Sequence, residues 1–349
     1  MRVRLEDVCE KESSKLKQSD VIDQNGLYPV YGASGYLGNI NTYQQSNYYI
    51  AVVKDGAGIG RTMLLPPESS IIGTMQYLIP KDNVLPEYLY YVVKAKHLEK
   101  YFSGATIPHI YFKDYKNEQF DLVSFEEQRV IINRLKKIEI IIDNLSKNLL
   151  LLDELVRARF VEMFGDPRIN EKKWKAGKIV DYFEVKGGKR IPKGMGYAER
   201  KTNHPYLRAS DMKNATILDD DIHYIDEEVY KRIKRYTVNA HDIYLTNVGV
   251  NLGMAGVIPK QYDGANLTEN AVKLVPKDKI LLNGMFLSYY INSPGIQHYI
   301  NERKMSVGVP KLAIFRIESM PLLLPPLELQ NQFASFVEEV DKSQFVLHQ

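Results

Sequence analysis

The chain has 349 residues, 44% hydrophobic and 26% charged, with a formal net charge of +3, a length that holds about two domains of ordinary size. No apolar run approaches the ~18 residues of a membrane-spanning helix, which excludes a helical membrane protein. Cys9 is the only cysteine, which excludes an intrachain disulfide and a cysteine metal cluster. Residues 1–8 alternate charged and apolar side chains without an apolar signal region, so a cytoplasmic chain is expected. Tyrosine is abundant, 24 against 1 Trp and 12 Phe, and suits either a polar binding surface or half-buried strands.

In chain order, residues 1–124 read as a first globular domain. Strand-like residues 49–53 lead into the turn Asp55-Gly56-Ala57-Gly58-Ile59-Gly60, residues 86–101 read as helical, and the loop Ser103-Gly104-Ala105-Thr106-Ile107-Pro108-His109 follows. Residues 125–165 read as one long helix. Ile131, Leu135, Ile138, Ile142, Leu145, Leu149, Leu152 and Val156 alternate steps of four and three, the seam of a coiled coil, and Gly165-Asp166-Pro167 stops it. At 1.5 Å per residue the helix extends ~60 Å, the length of a spacer. Residues 166–326 read as a second globular domain, with strand-like residues 242–245 and helical residues 283–301. Pro325-Pro326 introduces a distal helix over 327–349, where Phe333, Val337, Val340 and Leu347 repeat the seam over ~35 Å.

The two domains are copies of one another. Tyr77-Leu78-Ile79-Pro80-Lys81-Asp82 lies over Lys273-Leu274-Val275-Pro276-Lys277-Asp278 at an offset of 196. Pro29, Ala33 and Ser34 match Pro205, Ala209 and Ser210; Gly56, Gly60 and Pro66 match Gly249, Gly253 and Pro259; Phe125-Glu126-Glu127-Gln128 matches Leu327-Glu328-Leu329-Gln330. The matches are collinear, and their offsets drift as expected for two copies with different loop insertions. The expected fold is therefore α+β, with two repeated α/β domains separated by two long helices that pair antiparallel as a coiled coil about a pseudo-twofold axis.

Two related domains at a fixed separation suit a ligand with two sites at fixed spacing, and duplex DNA offers equivalent faces every ~34–36 Å. Residues 1–124 hold 13 Lys and Arg against 14 Asp and Glu, whereas residues 166–326 hold 25 against 18. Only the second domain has the basic balance of a chain that binds DNA alone by counterion release. Lys186-Gly187-Gly188-Lys189-Arg190-Ile191-Pro192-Lys193 reads as a phosphate-contacting or a solvated loop. Lys231-Arg232-Ile233-Lys234-Arg235 reads first as a solvated helix face. The loops 103–109 and Ser306-Val307-Gly308-Val309-Pro310-Lys311 hold equivalent places, and their small residues allow close approach to a base edge or form ordinary turns.

Catalytic signatures are weak. The turn at 55–60 is similar to a nucleotide-binding or S-adenosylmethionine-binding glycine loop, but its counterpart Asn247-Val248-Gly249-Val250-Asn251-Leu252-Gly253 keeps only the first and last glycines, a backbone requirement. Asn203-His204-Pro205-Tyr206 departs from the Asn-Pro-Pro-Tyr motif of amino-methyltransferases at His204. The seven histidines form no metal-site spacing, and Asp219-Asp220-Asp221 reads as a solvated turn.

Across nearly its whole length the chain resembles the specificity subunit of type I restriction-modification enzymes. The resemblance rests on the repeated domain-plus-helix plan, on the basic stretch 186–193, and on Pro205-Tyr206-Leu207-Arg208-Ala209-Ser210-Asp211. It rests also on Asn266-Leu267-Thr268-Glu269-Asn270-Ala271, on Ala158-Arg159-Phe160-Val161-Glu162-Met163-Phe164-Gly165-Asp166-Pro167 and on Pro325-Pro326-Leu327-Glu328-Leu329-Gln330. It implies two target recognition domains (1–124 and 166–326), each reading half of a bipartite DNA sequence. The central helix (125–165) and distal helix (327–349) would set the spacer and dock two methyltransferase subunits. It implies a non-catalytic subunit with no cofactor of its own: S-adenosylmethionine, ATP and Mg would be bound by the methyltransferase and motor-nuclease restriction subunits.

Base-contacting residues are not carried over by motif. Polar side chains beside the repeated turns nominate Lys54, Arg61, Thr62 and Thr106 in the first copy and Lys189, Arg190, Arg208, Asn247 and Lys311 in the second, since Arg and Lys pair with guanine edges and Asn with adenine. The distal helix is about 17 residues shorter than the central one. On that count the seam from Leu149 to Val156 is expected to lack an intramolecular partner. The alternatives are a structural or interaction protein assembling through its helices, or a truncated silent specificity cassette.

Overall fold

Strict alternation along Tyr49–Val53 decides the centre of the first domain. Ile50 and Val52 face a helical layer, while Tyr49, Ala51 and Val53 face a second sheet, so all five residues are buried. The computed structural model describes residues 1–22, 25–104, 108–277 and 282–347, in two compact units, Met1–Asn144 and Leu145–Gln349. Each is described by itself.

In the first unit, Cys9–Ser13 (β1), Tyr49–Val53 (β2), Thr62–Leu65 (β3) and Met75–Pro80 (β4) form an antiparallel sheet in the order β1-β4-β2-β3. In the second, Phe183–Gly187 (β5), Ile243–Thr246 (β6), Ala255–Val257 (β7) and Ala271–Pro276 (β8) take the same order, β5-β8-β6-β7. Each unit adds a three-stranded sheet whose central strand, Tyr28–Gly32 or Pro205–Leu207, has one antiparallel and one parallel neighbour. Each is closed by a two-stranded ribbon, Arg2–Arg4 with Gln119–Asp121 and Lys175–Lys178 with Pro321–Leu324. The repeat seen as short sequence matches is thus a repeat of topology.

Helices cover one face of each main sheet. Pro86–Ala95 packs Leu89 and Val93 on Ile50, Val52 and Leu78, and Gly284–Asn292 packs Phe286, Leu287 and Tyr290 on Ile243 and Leu245. The helical stretch expected over 283–301 is two helices, broken where Pro294 takes the first position of Pro294–Arg303. The matched glutamines are clamps. Gln128, 1% exposed, accepts from the Leu85 N–H at 2.8 Å and donates to the Val123 carbonyl at 3.0 Å. Gln330, fully buried, accepts from the Asn283 N–H and donates to the Pro325 carbonyl, both at 2.8 Å.

The central helix is continuous from Phe125 to Phe164, but the continuous seam is not borne out. In the first unit Ile132 is buried, Ile131 and Leu135 are half-buried, and Ile138 and Ile142 are 51% and 57% exposed. In the second unit Leu145, Leu149 and Leu152 are half-buried, while Val156, Phe160 and Phe164 share a core with Phe333, Val337 and Val340 of the distal helix Leu327–Leu347. Phe333 lies 5.4 Å from Phe160 between ring centres, and Phe336 sits under the Arg159 guanidinium. Asp341 faces Asp153, so the two helices run antiparallel. The expectation that Val156 lacks a partner is therefore corrected. The short distal helix spends its apolar face on the last turns of the central one, and the exposed stretch falls farther back. The side chains of Gln344 and Leu347 lie outside the described residues. Among the described residues no helix is long and apolar enough to cross a membrane.

Candidate nucleic-acid interface

Two loops that the sequence aligns separately are knitted together in each unit. After β2, the Lys54 carbonyl accepts from the Ile110 N–H at 2.9 Å, and the Gly56 N–H donates to the Pro108 carbonyl at 3.0 Å. After β6, the Asn247 carbonyl accepts from the Leu312 N–H at 2.8 Å, and the Gly249 N–H donates to the Pro310 carbonyl at 2.9 Å. Each turn closes on its own strand, Gly60 N–H to Val53 and Gly253 N–H to Thr246, at 2.9 and 2.8 Å. The glycines have a physical cause. Gly56, Gly60, Gly249 and Gly253 have φ of +90°, +80°, +101° and +95°, and a Cβ on Gly60 would lie 2.6 Å from the Glu99 amide nitrogen. The N–H groups of Gly56, Ile59, Gly60 and Arg61 are spent inside the fold, so they do not form a free phosphate cradle.

The shared backbone carries different side chains. In the first tip Ala57 is exposed, and the His109 Nδ1 lies 2.7 Å from Asp55 Oδ1 with Tyr111 stacked on the imidazole. In the second, Val250 is 98% exposed, Val307 96% and Val309 66%, beside the exposed Lys311. Sequence reasoning missed His109, the position equivalent to Lys311, and the three valines. Their signal was the alignment of the two loops.

The nominated residues scatter. Lys54 is half-buried, with its ammonium 3.7 Å from Asp55. Arg61 donates to the Ala33 carbonyl at 2.7 Å. The Thr62 hydroxyl donates to the Gly60 carbonyl at 3.1 Å, on the wall of an open groove of 430 Å³ lined also by Tyr31, Tyr36, Tyr90 and Tyr91. Thr106 lies outside the described residues. Lys189 is exposed, with its ammonium 5.8 Å from the Tyr236 ring centre. Arg190, 78% exposed, donates to Glu269 at 2.6 Å. Burial raises the Glu269 carboxyl, but hydrogen bonds from Arg190, its own N–H and Thr268 bring it below its ordinary range. Burial likewise pushes the Tyr206 hydroxyl up to about 12, and it donates to the Lys189 carbonyl at 2.9 Å.

Two nominated side chains are engaged inside the fold. Arg208 is committed internally: it donates to both oxygens of Asp211, a carboxylate 4% exposed, and to the Asp221 carbonyl. Asn247 is only 6% exposed, and its amide donates to the Leu312 carbonyl at 3.3 Å, so it cannot reach a base edge. The acidic run is partly structural, with Asp219 accepting from Tyr262 and Asp221 from Arg208. Among the described residues no group of three His, Cys, Asp or Glu is placed to hold a metal ion.

A family model, the type I restriction modification DNA specificity domain, matches residues 1–151 and 171–349. The type I restriction enzyme MjaIX specificity subunit of Methanocaldococcus jannaschii is 25% identical over 282 residues, 75% of this chain and 63% of that protein. The EcoBI specificity subunit of Escherichia coli is 24% identical over 134 residues, 38% of this chain and 28% of that protein. The chain thus spans less than two thirds of the length of these curated relatives. Its fold is similar to the crystal structure of a type I restriction-modification S subunit from M. genitalium, with a TM-score of 0.60, 15% identity, and coverage of 100% of this chain and 91% of that one. A chain from a structure concerning complex assembly and conformational transition of a type I system matches with a TM-score of 0.58 at 14% identity, over 99% of this chain and 91% of that one.

Proposed function

The chain belongs to the type I restriction-modification DNA specificity family, and from that premise we propose that it is a non-catalytic recognition subunit whose two copies each read one half of a bipartite DNA target. One observation carries this reading. The same hydrogen-bonded tip is built twice on the same sheet topology, and what differs between the copies is the side chains, half-buried His109 with Asp55 in one and exposed Val250, Val307, Val309 and Lys311 in the other. A constant frame with variable tips is what two different half-sites require.

Lys54, Arg61, Thr62 and Thr106 remain the first-copy contacts of this reading, and Lys189, Arg190 and Lys311 those of the second. The helices set the spacer and dock two methyltransferase subunits. Support comes from Ile138, Ile140, Ile141, Leu150 and Leu151, all between 51% and 65% exposed on the central helix, since apolar exposure on this scale marks an interaction surface. S-adenosylmethionine, ATP and Mg then belong to the methyltransferase and motor-nuclease subunits.

Adenine-methylation mapping by single-molecule sequencing tests the reading, in cells carrying this chain with its cognate methyltransferase subunit against cells lacking the chain. A new bipartite methylated motif is expected and gives both half-sites and the spacer. A soluble chain that yields no motif overturns it in favour of an interaction protein or a silent cassette.

A further inference from the structure

The second copy carries a charged insertion that the first lacks. Between Gly35–Ile40 and Tyr49–Val53 the first copy has residues 41–48, none of them charged. At the equivalent place the second has residues 225–242, with the helix Glu227–Ile233; Lys231, Arg232, Lys234 and Arg235 follow Asp226, Glu227 and Glu228, and Asp242 closes the stretch. Likewise, residues 14–27 balance Lys15 and Lys17 against Asp20 and Asp23, whereas residues 188–204 set Lys189, Arg190, Lys193, Arg200 and Lys201 against Glu199 alone.

The fold brings these two stretches onto one small core. Val229 and Ile233 are buried with Tyr206 and Ile225, and Ile191, Met195 and Tyr236 pack on them. Ile191 and Met195 bracket Lys193, Ile233 and Tyr236 bracket Lys234 and Arg235, and the Lys189 ammonium lies over the Tyr236 ring. The platform is held firmly: His204 stacks on Tyr230 at 4.0 Å with the rings 12° apart, and the Thr202 hydroxyl donates to the Ile225 carbonyl at 2.7 Å.

Some of the cations are already neutralised. Lys231 pairs with Glu227, Arg232 with Glu228 and Arg190 with Glu269. Lys189, Lys193, Lys234 and Arg235 are exposed and pair with no carboxylate among the described residues. Four unneutralised cations on a rigid apolar platform are complementary to a run of phosphates, and backbone contacts of this kind position a protein on DNA without reading sequence.

Resting on the recognition reading above, we propose that Lys193, Lys234 and Arg235 form a sequence-independent anchor for the DNA backbone, beside the nominated contact Lys189, present in the second copy and absent from the first. Affinity is then supplied asymmetrically, while both tips supply specificity.

The test is a fluorescence-anisotropy titration of the full chain on a fluorescent duplex of random sequence across about 50–200 mM salt. The triple variant Lys193→Ala, Lys234→Ala, Arg235→Ala changes only exposed side chains, and an unchanged thermal melt shows that it folds. The slope of log affinity against log salt is expected to shrink by about 2.7, at about 0.9 for each phosphate that the variant leaves unneutralised. The first-copy variant Lys15→Ala, Lys17→Ala is expected to leave the slope unchanged. An unaltered slope in the triple variant, an equal reduction in the first-copy variant, or a wild-type chain that ignores the duplex overturns the anchor. A bipartite motif in the methylation map alongside any of these results leaves the recognition reading standing, so the two failures are separable.

Discussion

Arg208 illustrates how a side chain is spent. Its guanidinium forms a forked contact with Asp211, also reaches Asp221, and stands 3.2 Å from the His223 Nε2, which ties the turn over residues 208–223 together. Because Asp211 is 4% exposed, removing the guanidinium leaves a nearly buried carboxylate held only by the Arg208 N–H and the Ser210 hydroxyl. Arg208→Ala is expected to cost about 2–3 kcal/mol, discounted for the partial exposure of the arginine, measured as an earlier denaturation midpoint. The mapped methylation motif should stay the same. A changed motif with unchanged stability would return Arg208 to the set of base contacts. The sequence spelled out Arg208 and Asp211 three residues apart, yet carried no sign of whether the guanidinium turns to its own chain or to a ligand, and the same holds for Asn247.

Among the elements, the helices were the most legible and their partners the least. A seam repeating every 3.5 residues is a local property, so the span from 125 to the mid-160s is readable without any knowledge of contacts. What covers that seam depends on residues far away: Ile132 takes its cover from the first domain, Val156 and Phe160 from Phe333 and Val337, and Ile138 from nothing that buries it. Phe333 is fully buried among Phe160, Phe164 and Tyr289. Phe333→Ala should therefore destabilise the second unit by about 3–5 kcal/mol, the usual cost of deleting a core aromatic ring. Calorimetry should show the transition of that unit falling while the first holds its temperature. A destabilisation below about 1 kcal/mol would mean that the distal helix contributes little to this core.

For the molecule as a whole, the proposed reading of one half-site by each tip has the consequence that the half-sites are separable. Val250 and Val307 are the most exposed aliphatic side chains of the second tip, and apolar groups in the major groove contact the thymine methyl. Val250→Asn with Val307→Asn is expected to relax or change one half of the mapped motif while the other half and the spacer persist. Changes in both halves, or in neither, would dissociate the tips from base reading. The sequence by itself determined the duplication, the two helices and the glycine turns, because periodicity, internal matching and positive-φ requirements are written in neighbouring residues. Only the tertiary structure decided which polar groups are consumed and which remain available. It joined Gly56 to Pro108 and Gly249 to Pro310, buried Asn247 against Leu312, and packed Ile191 and Met195 with Ile233 and Tyr236, which brings the stretches carrying Lys193, Lys234 and Arg235 onto one core. The reason is physical: burial and hydrogen bonding are set by residues brought together from distant parts of the chain, 65 positions apart for Asn247 and Leu312, and no local pattern encodes that meeting.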